Sequence, residues 1–121
     1  MKKGKKLLSV IVPAYRQEQT IARDLKNIEQ TLMAGLPEDY DFEIICVVDG
    51  QEDNTEKEAK KIVSGHIRVL SYEENRGKGF AVRHGMKSAN GELISFLDAG
   101  MDISPKGIMM LMSHLDWYNA D

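Results

Sequence analysis

The sequence predicts an open α/β fold, a mainly parallel sheet with helices on both faces. Two observations carry that prediction. Short apolar runs rich in β-branched residues, the mark of strands buried on both faces, alternate with stretches of helical periodicity. A helix between each pair of strands also demands crossover connections, and hence parallel pairing. Residues 7–12 (LLSVIV) form the first run, and the fold places this strand centrally. Ile21, Leu25, Ile28 and Leu32 then recur at helical spacing, with Gly35 and Pro37 available to stop the helix. Residues 42–48 (FEIICVV) are a second buried strand. Asp53 followed by Glu56 resembles an N-cap pair opening a charged helix over 53–63, with Gly65 near its end. Residues 66–72 supply the third strand. A helix over 77–89 follows, stopped by Asn90-Gly91, and 92–97 (ELISFL) is the fourth strand. Ser104-Pro105 then opens a last helix with Ile108, Leu111, Met112 and Leu115 as its buried stripe.

Composition narrows the function classes. The chain has 121 residues, enough for one domain, and 16 basic against 19 acidic residues give a net charge of −3. That balance argues against gripping a nucleic-acid backbone. A single cysteine makes no internal disulfide, and with three histidines it makes no usual closed zinc site, so a reducing, cytoplasmic setting fits. No run approaches the roughly 20 apolar residues that cross a bilayer. The run over 7–12 is cut by Pro13 and soon meets Arg16, too short for a secretory signal. Residues 1–6 read as a basic tail. Lys2, Lys3, Lys5 and Lys6 fit a solvated terminus, and they also suit peripheral association with an anionic membrane surface at about 1 kcal/mol each.

The chemistry-bearing residues follow the strands. Pro13-Ala14-Tyr15 ends the first, Asp49-Gly50 the second, Arg76-Gly77-Lys78-Gly79 follows the third, and Asp98-Ala99-Gly100-Met101-Asp102 the fourth. Each has a purely structural reading, since glycine and aspartate are the commonest turn formers. Four on one edge, where open α/β sheets bind ligands, argue for a cleft. The Arg76–Gly79 segment opens a helix whose N-terminus suits a phosphate, with Arg76 and Lys78 adding charge and Arg83 about a turn further on. It is neither a P-loop nor a dinucleotide fingerprint, which weakens ATPase and dehydrogenase readings. Asp98 and Asp102 offer the hard oxygen ligands that Mg²⁺ or Mn²⁺ takes alongside substrate phosphates. Ala81, Gly85 and Ala89 form a small-residue stripe for close packing. His84 reads as a packing or surface residue, and Cys46, inside a strand, as buried and inert.

Taken together, LSVIVPAY, EIICVVDGQEDNT, NRGKGFAVRHGMKSANG and ISFLDAGMD resemble the nucleotide-sugar-binding half of a GT-A fold glycosyltransferase of the family-two group, nearest the dolichyl-phosphate mannose or glucose synthase-like enzymes. The resemblance runs from about Leu7 to the end, so 7–121 are read as part of a single GT-A domain. It implies that Pro13, Ala14, Tyr15 and Asp49 line the nucleoside pocket, that Gly77, Lys78 and Arg83 lie near the nucleotide, and that Asp98, the implied catalytic residue, holds a divalent ion. The implied reaction transfers a sugar, with inversion, from a UDP- or GDP-linked donor to a polyprenyl phosphate. The alternative is a nucleotide-binding or interaction module without catalysis.

Three positions depart from the family pattern. Arg16-Gln17 stands where many relatives read Asn-Glu, with Glu18 next door. Val48-Asp49 stands in place of paired aspartates, and Gly100 in place of the second carboxylate of D-x-D, which leaves Asp102 to supply it. Such enzymes also extend well past the length of this chain. It is therefore read as the N-terminal portion of a longer enzyme, with an uncovered sheet edge and with Met109, Met110, Trp117 and Tyr118 favouring self-association.

Overall fold

The computed structural model describes residues 5–97. Met1–Gly4 of the basic tail, Asp98, Asp102 and the last expected helix lie outside the described residues. The element order is β1 (Lys6–Ala14), α1 (Ile21–Gly35), β2 (Tyr40–Asp49), α2 (Thr55–Ala59), β3 (Ile67–Tyr72), α3 (Lys78–Ser88) and β4 (Leu93–Phe96). The strands form one sheet in the order β3-β2-β1-β4, and every pairing is parallel. β1 is thus an interior strand, as its largely apolar run predicts.

Alternation along the strands sorts the core into two layers. Leu8, Val10, Val12, Ile44, Cys46 and Val48 join Ile21, Leu25, Ile28 and Leu32 of α1 and Ala59 of α2. Ile11, Ile45 and Val47 point the other way, onto Ala81 of α3, with Leu70, Tyr72 and Ala89 alongside. The chain moves outward from β1 to β3 and then jumps back across the sheet to β4. With one hand of crossover, that reversal puts α3 on the opposite face from α1 and α2. The loops after β1 and after β3 therefore depart to opposite faces, and a crevice opens between them at the carboxyl edge.

The second helix departs from expectation. α2 covers only Thr55–Ala59, after which Lys61 and Ile62 bond three residues back and the helix tightens and ends, leaving Val63 exposed. The expected Asp53–Glu56 capping pair does not form. The N-cap is Asn54, without a side-chain bond, while Asp53 Oδ1 accepts from the Thr55 N–H at 2.9 Å and the Thr55 hydroxyl at 2.5 Å. Glu56 instead accepts from Ser71 (2.7 Å), Gln51 (2.9 Å) and Lys60 (2.8 Å). A neighbouring strand and a flexible cation outcompete the local backbone for this carboxylate.

Candidate nucleotide-binding cleft

Pro13, Ala14, Tyr15, Asp49, Asn75, Gly77 and Lys78 line one cavity of about 380 Å³ at the carboxyl edge. Six of these seven are residues the sequence singles out, brought together from three loops. Pro13 helps open the cleft. The β1–β4 register ends at Ile11↔Phe96, and Pro13, two residues on, has no N–H with which to prolong that ladder. Its ring and Ala14 stay buried as floor, while Tyr15 stands at the mouth, 42% exposed.

Asp49 ends β2 and is only 3% exposed, so its charge must be satisfied internally. Its Oδ1 accepts from the Tyr72 hydroxyl (2.7 Å) and the Arg76 N–H (2.8 Å), and its Oδ2 from Asn75 Nδ2 (2.8 Å) and the Gly77 N–H (3.0 Å). Asn75 Nδ2 also reaches the Asp49 carbonyl at 3.3 Å. Burial first, and the adjoining Asp49 carboxylate second, push the Tyr72 phenol well above its usual range. Gly77 takes φ +93°, a conformation costly for other residues, and from it the chain enters α3 at Lys78. The positive end of the α3 dipole therefore meets the cleft, where an anion is favoured.

The other cations are placed differently. The Arg76 guanidinium lies over the Phe80 ring, 5.2 Å from its centre, within an aromatic group in which Tyr72 meets Phe80 at 5.2 Å and His84 at 5.3 Å. His84 is thus a packing residue, as its sequence context suggests. Arg83 is exposed and is not among the lining residues. Its Nη1 runs back along α3, 3.4 Å from where a Cβ on Gly79 would stand. Cys46 is fully buried, and burial pushes its thiol up to about 12, so it is inert as a nucleophile.

Beside the cleft, the loops after β1 and β2 are laced together. Glu52 Oε1 accepts from Arg16 Nη2 (2.8 Å) and the Tyr15 hydroxyl (3.1 Å), and the Arg16 guanidinium lies 5.6 Å from the Tyr15 ring centre. Arg16 holds φ +51°, uncommon for a side-chain-bearing residue. Gln17 Oε1 accepts from the Tyr15 N–H at 3.3 Å, its own N–H donates to Thr55 at 2.8 Å, and Glu18 accepts from the Asn54 N–H at 2.9 Å. Arg16–Thr20 and Asp53 bound a second, polar cavity of about 390 Å³. Arg16, Glu52 and Gln17 together brace Tyr15.

Among the described residues no group of three His, Cys, Asp or Glu side chains is arranged to hold a metal ion. Asp49 has no acceptor position left for one. Asp98 and Asp102, the carboxylates expected from sequence to hold Mg²⁺ or Mn²⁺, lie outside the described residues. Sequence reading missed Asn75 and Tyr72. An asparagine heading a glycine-rich loop is a signal for side-chain capping of backbone, but the partner comes from another strand.

The fold agrees with comparison to known proteins. The sequence model of glycosyl transferase family 2 matches residues 9–121, and the chain belongs to that family. It is 46% identical over 100 residues to a dolichyl-phosphate beta-glucosyltransferase of Drosophila melanogaster, covering 76% of this chain and 30% of the relative. It is 30% identical over 109 residues to an undecaprenyl-phosphate 4-deoxy-4-formamido-L-arabinose transferase of Proteus mirabilis, covering 88% of this chain and 32% of the relative. A mannosyltransferase from Pyrobaculum calidifontis, solved with GDP-Man and Mn²⁺, superposes with a TM-score of 0.68 at 25% identity, covering 82% of this chain and 29% of that one. The chain thus spans about 30% of the length of these relatives.

Proposed function

We propose that this chain is the donor-binding part of a glycosyltransferase that moves a sugar from a UDP- or GDP-linked donor to a polyprenyl phosphate, with inversion. The observation that carries the reading is the convergence of Pro13, Ala14, Tyr15, Asp49, Gly77 and Lys78 on one cleft. The names of the matched relatives support the polyprenyl phosphate acceptor, and the Pyrobaculum complex supports a nucleotide sugar with a divalent ion. Tyr15 is a wall for the nucleoside, and the start of α3 with Lys78 faces the diphosphate. Arg83 is a second-turn cation for the same group. Asp98, assisted by Asp102, would hold the Mg²⁺ or Mn²⁺, which would supply charge neutralisation at the diphosphate.

The chemistry asks little of a general base. An acceptor phosphate has its second pKa near about 6 and is largely ionised at neutral pH. Its oxygen forms the new bond to the anomeric carbon, and the nucleoside diphosphate departs with the electron pair of the broken bond. The chain's contribution is to orient the donor and to stabilise charge growing on the leaving group. Lys2, Lys3, Lys5 and Lys6 would favour a cytoplasmic membrane surface, where a lipid phosphate is met. Among the described residues no helix is long and apolar enough to cross a membrane.

Titration of the chain with UDP and GDP, with Mn²⁺ or with chelator, tests this reading. Binding is expected to be stronger in Mn²⁺, and Asp98→Ala should remove most of the metal-dependent gain, with a smaller loss in Asp102→Ala. A metal-dependent affinity untouched by Asp98→Ala would refute the assignment of the ion.

A further inference from the structure

We infer that Asp49 serves the cleft as the keystone of the 75–77 loop rather than as a ligand of the nucleotide, and that Tyr72 and Asn75 are positioning residues for diphosphate binding. The inference rests on the nucleotide reading of the cleft. An ionised carboxylate offers about four lone-pair positions. Here Tyr72, Arg76, Asn75 and Gly77 occupy them, two donors to each oxygen, at 2.7 to 3.0 Å. A base or ribose donor would have to displace a donor already held by a nearly buried anion. Asp49 therefore acts through what it holds.

What it holds is the entry to α3. Two successive backbone N–H groups, of Arg76 and Gly77, grip one carboxylate, and the Asn75 amide ties the same loop to both the carboxylate and the carbonyl of Asp49. This fixes Gly77 at φ +93° and so sets where Lys78 and the first turn of α3 meet the cleft. A five-residue connection, 73–77, with exposed Glu73, Glu74, Asn75 and Arg76, has little hydrophobic packing to order it. Ordering it in advance spares the ligand that entropic cost. Tyr72 contributes its hydroxyl from the end of β3, and its ring is kept in place by Phe80 and His84.

The test uses the whole chain and two mild variants, Tyr72→Phe, which keeps the ring and loses the hydroxyl, and Asn75→Ala. UDP and GDP are compared with uridine and guanosine by titration monitored in NMR spectra. Each variant is expected to weaken both diphosphates by about tenfold, the scale of one lost hydrogen bond to a charged group, and to leave the nucleosides unchanged. In the free protein, amide exchange at Arg76 and Gly77 should accelerate at least about tenfold in Asn75→Ala while β1 and β2 amides keep their protection. Nucleosides weakened as much as diphosphates would overturn the proposal, because the Asp49 cluster would then be reading the nucleoside. Unchanged diphosphate affinity in both variants would overturn the positioning role alone. A wild-type chain that binds none of the four ligands would overturn the nucleotide reading itself, and the diphosphate role with it.

Discussion

Gly85 sits where α3 crosses the sheet, and a Cβ on it would stand 2.6 Å from Ile11 Cγ2 and 3.0 Å from Val47 Cγ2. Both obstacles are branched side chains in a packed layer, with no free end to swing aside. Replacing Gly85 by alanine should gain about 1 kcal/mol of helix propensity, whereas overpacking a core typically costs about 1–3 kcal/mol. The clash wins, so Gly85→Ala is expected to lower stability in urea unfolding, while Gly79→Ala, whose Cβ would meet only the Arg83 guanidinium at 3.4 Å, should not. The stripe of Ala81, Gly85 and Ala89 is legible from spacing alone. That the constraint peaks at Gly85 depends on Ile11 of β1 and Val47 of β2, brought beneath the helix by the fold.

At the scale of elements, the carboxyl end of α3 is moored to the opposite end of the sheet from the cleft. Glu43 of β2 accepts from Ser9 of β1 (2.6 Å), from the Asn90 N–H just after α3 (2.7 Å) and from Arg68 of β3 (3.2 Å). Arg68 also donates to the Ser88 carbonyl at 2.6 Å, meeting one of the helix's terminal acceptors. Burial alone would raise the Glu43 carboxyl, but bonds from Ser9 and Asn90 and the charge of Arg68 outweigh it and hold the group below its usual range. A carboxyl depressed by folding stabilises the protein above its unfolded pKa, near about 4.3, and that contribution is lost as pH falls through the folded value. Glu43→Gln should therefore destabilise the protein at pH 7, and the gap to wild type should narrow in acid. Unfolding curves at pH 7 and pH 3 check this, and a gap of equal size at both would contradict it. None of this network is legible in sequence, where Glu43 and Arg68 are lone charges within apolar strands.

For the molecule as a whole, the cleft is assembled from loops on both faces of the sheet, and the chain spans about 30% of the length of its matched relatives. Sugar transfer needs an acceptor held against the donor, and positioning of that kind supplies a large part of an enzyme's rate. The 121-residue polypeptide is accordingly expected to bind a nucleoside diphosphate without turning it over. A transfer assay with UDP- and GDP-linked sugars and polyprenyl phosphate checks this, and turnover by the polypeptide alone would contradict it. Ile94 and Phe96 of β4 are partly exposed on the α3 face, at 37% and 44%, so sedimentation belongs beside that assay to measure self-association.

The sequence by itself determined the strand–helix alternation, the parallel sheet with β1 in its interior and the edge on which the motifs gather. These follow from local periodicity and from the rule that crossovers keep one hand, and neither needs a distant partner. The turn residues Pro13, Tyr15, Asp49, Gly77 and Lys78 were legible for the same reason, since each is unusual where it stands. Tertiary structure alone decided what those residues do to one another. Asp49 is drawn into the loop because burial leaves its charge no water and the nearest donors come from β3 and the start of α3. Arg76 turns to Phe80, and Glu56 leaves its own helix for Ser71. In each case a charged or polar side chain chose among partners that only the packed sheet brought within reach, and a hydrogen bond a few ångströms long is set by that packing and not by distance along the chain.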